Sequence, residues 1–215
     1  YQFSREDLWK DWDFSERFPG RDEVYAYFKY VDKKLDLSRD IRFNTRVTKC
    51  LFDSVTNTWS VETDTGSSLR ANFMVMCTGF ASKPYIPELK GIESFAGECH
   101  HTGLWPKDGI DFEGKSVAVI GTGASGVQVI QEISPFVKDL AVFQRTPNTA
   151  FPMGQQQFDG AAKLDVKKQQ AAGRFQAVAE SHGGVDVVPL GDSPLAVSES
   201  EREAVFEQRW SEGGF

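Results

Sequence analysis

Apolar residues first recur at helical spacing at Val24, Tyr27, Phe28, Val31 and Leu35, which predicts an amphipathic helix over 22–35 with Asp22 as its N-cap. Ahead of it, Trp9, Trp12, Phe14 and Phe18 stand among polar residues before Pro19-Gly20. This aromatic stripe reads as a helix packed on a core, and its spacing assigns no ligand. The period then changes from helical to alternating. Residues 41–43 and 46–52 read as strands, and 58–63 (TWSVET) alternates with Trp59 and Val61 on one face. Ser54 to Asn57 and Asp64-Thr65-Gly66 supply turns. Residues 73–76 form a continuous apolar run, expected as a buried strand, which stops at Cys77-Thr78-Gly79. A small-residue turn there lets backbone approach something flat or charged, although most strand-terminal glycines only turn the chain. Lys83-Pro84 and Ile86-Pro87 then make a stiff connector suited to a domain boundary.

The next pattern is the most specific. Residues 115–120 (KSVAVI) predict a short buried strand, and Gly121-Thr122-Gly123-Ala124-Ser125-Gly126 completes GxGxxG. A helix follows with Val127, Ile130 and Ile133 apolar, ending before Pro135, and a second strand spans 140–144 (LAVFQ). Strand, motif, helix and strand in that order describe a dinucleotide-binding βαβ unit rather than a chance glycine-rich turn. Gly121 permits the tight turn, Gly123 lets a pyrophosphate approach the backbone, and Gly126 lets helix and strand pack closely. The helix N-terminal amides would hold the anion.

The end of the second strand bears on which dinucleotide. An NAD site expects Asp or Glu about 20 residues after the motif, to accept from the ribose 2′-hydroxyl. Here Arg145 follows Gly126 by 19 residues, flanked by Gln144 and Thr146. A guanidinium and a hydroxyl suit a 2′-phosphate, which a carboxylate would repel. NADPH is therefore expected over NADH; a solvated arginine at a strand end is the alternative. Farther on, 163–181 reads as a helix weakened at Gly173, and 183–194 as a loop. Ser198 and Glu201 form a capping box opening a helix through Trp210, ended by Gly213-Gly214.

Composition narrows the function classes. The chain has 215 residues, with 24 Lys+Arg against 31 Asp+Glu and a net charge of −7. An acidic balance without a basic patch argues against nucleic acid and against an anionic membrane surface. No apolar run approaches the roughly 20 residues that span a bilayer. Tyr1 to Trp12 is charged and aromatic, unlike a signal peptide. Cys50, Cys77 and Cys99 form no CxxC, and their odd number suggests no disulfide framework. A reduced, cytoplasmic, metal-free protein is expected.

Between connector and βαβ unit runs Phe95-Ala96-Gly97-Glu98-Cys99-His100-His101-Thr102-Gly103-Leu104-Trp105-Pro106. Phe95, Gly97, His101, Trp105 and Pro106 match FxGxxxHxxxW(P/D), and the segment resembles the fingerprint of type I Baeyer–Villiger monooxygenases. The Cys77-Thr78-Gly79 turn, the GTGASG loop with Gln128, and Phe143-Gln144-Arg145-Thr146 are similar to that family in the same order. The resemblance implies an α/β fold with two dinucleotide-binding, Rossmann-like domains, here only partly present, and a helical insertion. Residues 1–85 would be the C-terminal part of an FAD domain. Residues 86–150 would carry the linker and the first half of an NADP domain, and 151–215 a truncated helical insertion that shapes the substrate pocket.

The resemblance further implies that NADPH reduces the flavin, that O2 adds at flavin C4a, and that the peroxyflavin attacks a ketone to give an ester or lactone. Oxygen chemistry belongs to the cofactor, while protein groups orient it and exclude water. Thr78 and Gly79 would border FAD, with Cys77 close by. Gly121, Thr122, Gly123, Ser125, Gly126, Gln128, Arg145 and Thr146 would hold NADPH. His101 invites a general-acid role because histidine titrates near neutrality. Its place in an interdomain connector favours fixing chain geometry instead. His100 matches nothing and is expected to be exposed, and His182 is no candidate. Neither a flavin-binding GxGxxG nor the family's catalytic arginine motif stands in the sequence, so no arginine takes that role. The chain is therefore expected to need the remainder of a longer polypeptide, and to be inactive alone. A flavin N-hydroxylase or sulfoxidase on the same scaffold, which Trp105-Pro106 disfavours, and a catalytically silent nucleotide-binding module are the alternative readings.

Overall fold

The computed structural model describes residues 2–79, 81–148, 150, 152–181, 193 and 195–213. The expected loop at 183–194 lies almost wholly outside them, as does His182. The described chain is mixed α/β and falls into two compact units. One comprises Tyr1–Lys49, Glu62–Ser68 and Phe151–Phe215; the other comprises Cys50–Val61 and Leu69–Ala150.

The first unit is built on aromatic packing. Helix α1 (Glu6–Trp9) buries Leu8 and Trp9, and α2 (Arg21–Leu35) buries Tyr27 and Val31. Trp12, Phe14, Tyr30 and Leu35 close around Leu8, Tyr27 and Val31. The Tyr27 ring lies 5.3 Å from both Trp12 and Phe14. Burying each such side chain contributes roughly 1.5–3 kcal/mol. Core packing of the stripe thus matches the sequence reading. Asp22 is not the N-cap: Gly20 holds that position, and Asp22 joins Glu23 in the first turn, where carboxylates complement the helix dipole. Helix α2 stops at Asp36, whose φ of 52° is left-handed.

Strands β1 (Val47–Asp53), β2 (Thr58–Thr63) and β3 (Ser68–Ala71) form a meander in chain order. Thr48 Oγ1 donates to the Glu62 carbonyl, and Arg46 N–H to Asp64 Oδ1. One strand descends as the other ascends, which makes the β1–β2 pair antiparallel. Residues 41–43 are not a strand; the chain turns there, and Asn44 has φ 51°. β3 has no sequence signal of its own, because four residues carry too little alternation.

The expected buried strand at 73–76 is absent. Phe73, Val75 and Met76 are 88, 81 and 72 % exposed in irregular backbone. A continuous apolar run forms a strand only between neighbours that take its backbone hydrogen bonds and cover both faces. Among the described residues none flanks it.

In the second unit, β4 (Ser116–Ile120), α3 (Ala124–Ile133) and β5 (Asp139–Phe143) form the expected βαβ unit. The strands pair parallel, from Ser116 with Asp139 to Ile120 with Phe143. Helix α3 packs on β4 and buries Ile133. Only one face of β4 is covered: Val117 and Val119 are half-buried, whereas Ile120 is 68 % exposed. The expectation of a buried strand is corrected accordingly, since two strands and one helix cover a single face.

Residues 163–181 form two helices, not one: α4 (Gly160–Ala171) and α5 (Arg174–Glu180), broken at Gly173 with φ 97°. Asp159 caps α4 by accepting from Ala162 N–H at 2.8 Å. Helix α6 (Glu199–Glu212) begins with the reciprocal Ser198–Glu201 capping box and ends at Gly213. These helices belong to the first unit, where Lys167 pairs with Asp13 at 3.2 Å.

Candidate functional site

The βαβ loop brings the predicted nucleotide residues together. Gly121 has φ +101°, a backbone that side-chain-bearing residues rarely adopt. A Cβ on Gly126 would lie 2.3 Å from the Gly121 carbonyl oxygen, so only glycine lets the first turn of α3 pass that close. A Cβ on Gly123 would meet nothing within 4 Å. The fold itself therefore needs Gly121 and Gly126, while Gly123 leaves open space beside the backbone.

The helix N-terminus suits an anion. Its N-cap is Gly123, no side chain caps it, and the first turn contains no acidic residue. The first-turn amides thus lack side-chain acceptors, and the helix dipole adds partial positive charge. Ser125 stands in that first turn and is exposed, and Gln128 follows one turn later, also exposed. The residues fit a dinucleotide pyrophosphate.

The strand-end segment is tied to this loop at three points. Gly121 N–H donates to the Phe143 carbonyl at 2.8 Å, Gln144 Nε2 donates to Thr122 Oγ1 at 2.7 Å, and Asn148 Nδ2 donates to the Thr122 carbonyl at 3.4 Å. Arg145 and Thr146 lie within the tied segment and are exposed. Arg145 has no hydrogen bond or ion pair among the described residues, so its five donors are available. Sequence reasoning missed Gln144 and Asn148 as anchors. An amide side chain after a strand signals nothing until its partner is known.

The fingerprint segment has its own geometry. His101 Nδ1 accepts from Gly103 N–H at 3.1 Å, capping the short 3₁₀ turn Thr102–Leu104. The contact demands an unprotonated Nδ1, which leaves the proton on Nε2. A Cβ on Gly103 would sit 3.2 Å from that nitrogen. A Cβ on Gly97 would meet the Phe95 ring at 2.7 Å, so the ring folds over a position without a side chain. Trp105 lies 6.0 Å from Phe112, while Pro106 is half-buried. Glu98 accepts from Lys115 at 3.1 Å and contacts His100 Nε2 at 3.3 Å. These contacts, Lys115 first and His100 second, hold the Glu98 carboxyl below the usual carboxylate range. No sequence motif pointed to Glu98.

Thr78 and Gly79 are exposed, Gly79 with φ +69°. Among the described residues, no hydrogen bond joins them or the fingerprint to the glycine-rich loop. The three cysteines are free thiols. An open depression of about 420 Å³ on α2 is lined by Pro19, Arg21, Val24, Tyr25 and Phe28, and contains none of the predicted site residues. Among the described residues, no helix is long and apolar enough to cross a membrane.

A family model for flavin-binding monooxygenase-like proteins matches residues 4–163. The chain belongs to this family. It is 44 % identical over its whole length to the FAD-binding monooxygenase VdtE of Byssochlamys spectabilis, and 40 % identical to a cyclopentanone 1,2-monooxygenase of Comamonas sp.. In each case it covers 39 % of the relative. A steroid monooxygenase solved with NADP superposes with a TM-score of 0.87 at 42 % identity, over 100 % of this chain and 40 % of that one. The resemblance to Baeyer–Villiger monooxygenases drawn from the fingerprint holds, and so does the α/β, Rossmann-like fold class. The chain of this flavin-binding monooxygenase-like protein spans about 40 % of the length of these relatives.

Proposed function

We propose that this chain is part of a flavoprotein monooxygenase that uses NADPH and O2 to insert an oxygen atom next to a ketone carbonyl. The overall change converts ketone, O2, NADPH and a proton into ester or lactone, NADP+ and water. Flavin, when bound, supplies the oxygen chemistry. This chain's residues bind and orient the nucleotide. The loop from Gly121 to Gly126 takes the pyrophosphate, with Thr122 and Ser125 as hydroxyl donors and Gln128 beside them. Arg145 and Thr146 take the 2′-phosphate. Thr78 and Gly79 border FAD. His101 sets the geometry of the connector through its cap on Gly103, and moves no proton. Residues 1–85 contribute to an FAD domain, 86–150 to the linker and NADP domain, and 151–215 to a helical insertion. The remainder of the polypeptide completes both domains, in a reducing cytoplasmic setting that the free thiols favour.

The carrying observation is a helix N-terminus without a side-chain cap, preceded by Gly121 and Gly123 and clamped to a strand end that presents Arg145 and no carboxylate. Its test uses the complete flavoprotein. Oxidised flavin absorbs blue light, NADPH consumption rises with a ketone, and the product is a lactone or ester. A colourless protein would point to a silent nucleotide-binding module, and an N-oxide or sulfoxide product to the soft-nucleophile enzymes. Arg145→Ala is expected to weaken NADPH binding by about 1.5–3 kcal/mol, the scale of a charge-assisted hydrogen bond. NADH binding stays nearly unchanged. Equal losses with both nucleotides would refute the 2′-phosphate assignment.

A further inference from the structure

We propose that Gln144 is a positioning residue for the dinucleotide pyrophosphate, acting through the hydroxyl of Thr122. The inference rests on the nucleotide-binding reading above and extends it to a residue outside the binding set. A threonine hydroxyl has one proton to donate and two lone pairs to accept with. Gln144 Nε2 occupies a lone pair of Thr122 Oγ1 at 2.7 Å, so the hydroxyl does not turn its own proton toward Gln144. That proton is left for a phosphate oxygen at the loop. Asn148 meanwhile holds the Thr122 carbonyl at 3.4 Å, and Gly121 N–H is engaged by Phe143. With its carbonyl and the preceding amide held, Thr122 presents the O–H bond that Gln144 orients.

This role is blind to the 2′-phosphate, because the pyrophosphate is common to NADPH and NADH. Gln144 and Arg145 are adjacent, yet they report on different ends of the nucleotide. The pair therefore separates experimentally.

The test measures dissociation constants of NADPH and NADH with the flavin-loaded holoenzyme. Gln144→Leu is expected to raise both by the same factor, roughly tenfold for one lost hydrogen bond, without shifting the melting temperature. Gln144→Glu should not rescue binding, because a carboxylate accepts the threonine proton instead of freeing it. Thr122→Val should cause a similar loss, and adding Gln144→Leu to it should cause no more. Unchanged affinity in Gln144→Leu overturns the proposal. So does a loss confined to NADPH, wild-type affinity in Gln144→Glu, or fully additive losses in the double variant. Wild-type protein that binds neither nucleotide overturns both the proposal and the reading beneath it.

Discussion

Gly126→Ala separates local propensity from tertiary packing, because the two predict opposite signs. Gly126 lies in the first turn of α3, where alanine is the better helix former by about 1 kcal/mol. On propensity alone the variant would be more stable. The structure says otherwise. The added Cβ would sit 2.3 Å from the Gly121 carbonyl oxygen and 3.1 Å from its carbon, both backbone atoms that cannot rotate away. An ordinary contact near 3.4 Å requires α3 and the loop to separate by about 1 Å, and overpacking of this kind typically costs 1–3 kcal/mol. A rigid backbone contact belongs at the upper end of that range, which leaves a net loss of about 2 kcal/mol after the propensity gain. In urea this moves the unfolding midpoint down by about 1 M at an m-value of about 2 kcal/mol/M, with the slope unchanged. The same displacement misaligns the first-turn amides, so NADPH affinity falls with it. Gly123→Ala is the control: its Cβ meets nothing within 4 Å, so stability changes by less than about 1 kcal/mol while NADPH affinity drops. Equilibrium unfolding and nucleotide titration of the holoenzyme read both. A Gly126→Ala protein as stable as wild type, with unchanged NADPH affinity, would refute the close-packing explanation of the motif.

Two further outcomes are expected. His101→Ala removes the acceptor for Gly103 N–H, a cap worth about 1 kcal/mol, and slows flavin reduction or coupling while flavin remains bound. His101→Asn, whose amide oxygen can take the same hydrogen bond, restores the rate; stopped-flow reduction distinguishes this from an essential acid, for which asparagine would be as poor as alanine. Because the Glu98 carboxyl is held below its ordinary value of 4.5, its contribution is complete above that pH and disappears as pH falls through the lower folded value. Acid unfolding of Glu98→Gln should therefore lack this part of the pH slope, and added salt should reduce the wild-type slope because the pair is exposed.

Much of the fold was legible because its signals are local. The GxGxxG loop between two apolar strands, the capping box at Ser198 and the periodicity of 22–35 each depend on residues close in sequence, and each stands in the structure. The run at 73–76 departs from its sequence pattern for the complementary reason: its composition is that of a buried strand, but a strand exists only where another strand takes its hydrogen bonds. The helix expected over 163–181 broke at Gly173 because the left-handed backbone there ends one helix before the next begins.

The amino-acid order by itself determined the motif identities, the sign of the charge at the end of β5, and the fingerprint that pointed to the family. These follow from residue type and spacing, which no packing alters. Only the tertiary structure decided why Gly126 has no alternative, that Gln144 and Asn148 hold Thr122 from the segment after β5, 22 and 26 residues away, and that His101 spends Nδ1 on Gly103. Those facts depend on distances between atoms far apart along the chain, or on which rotamer the surroundings select, and neither is written in composition or period.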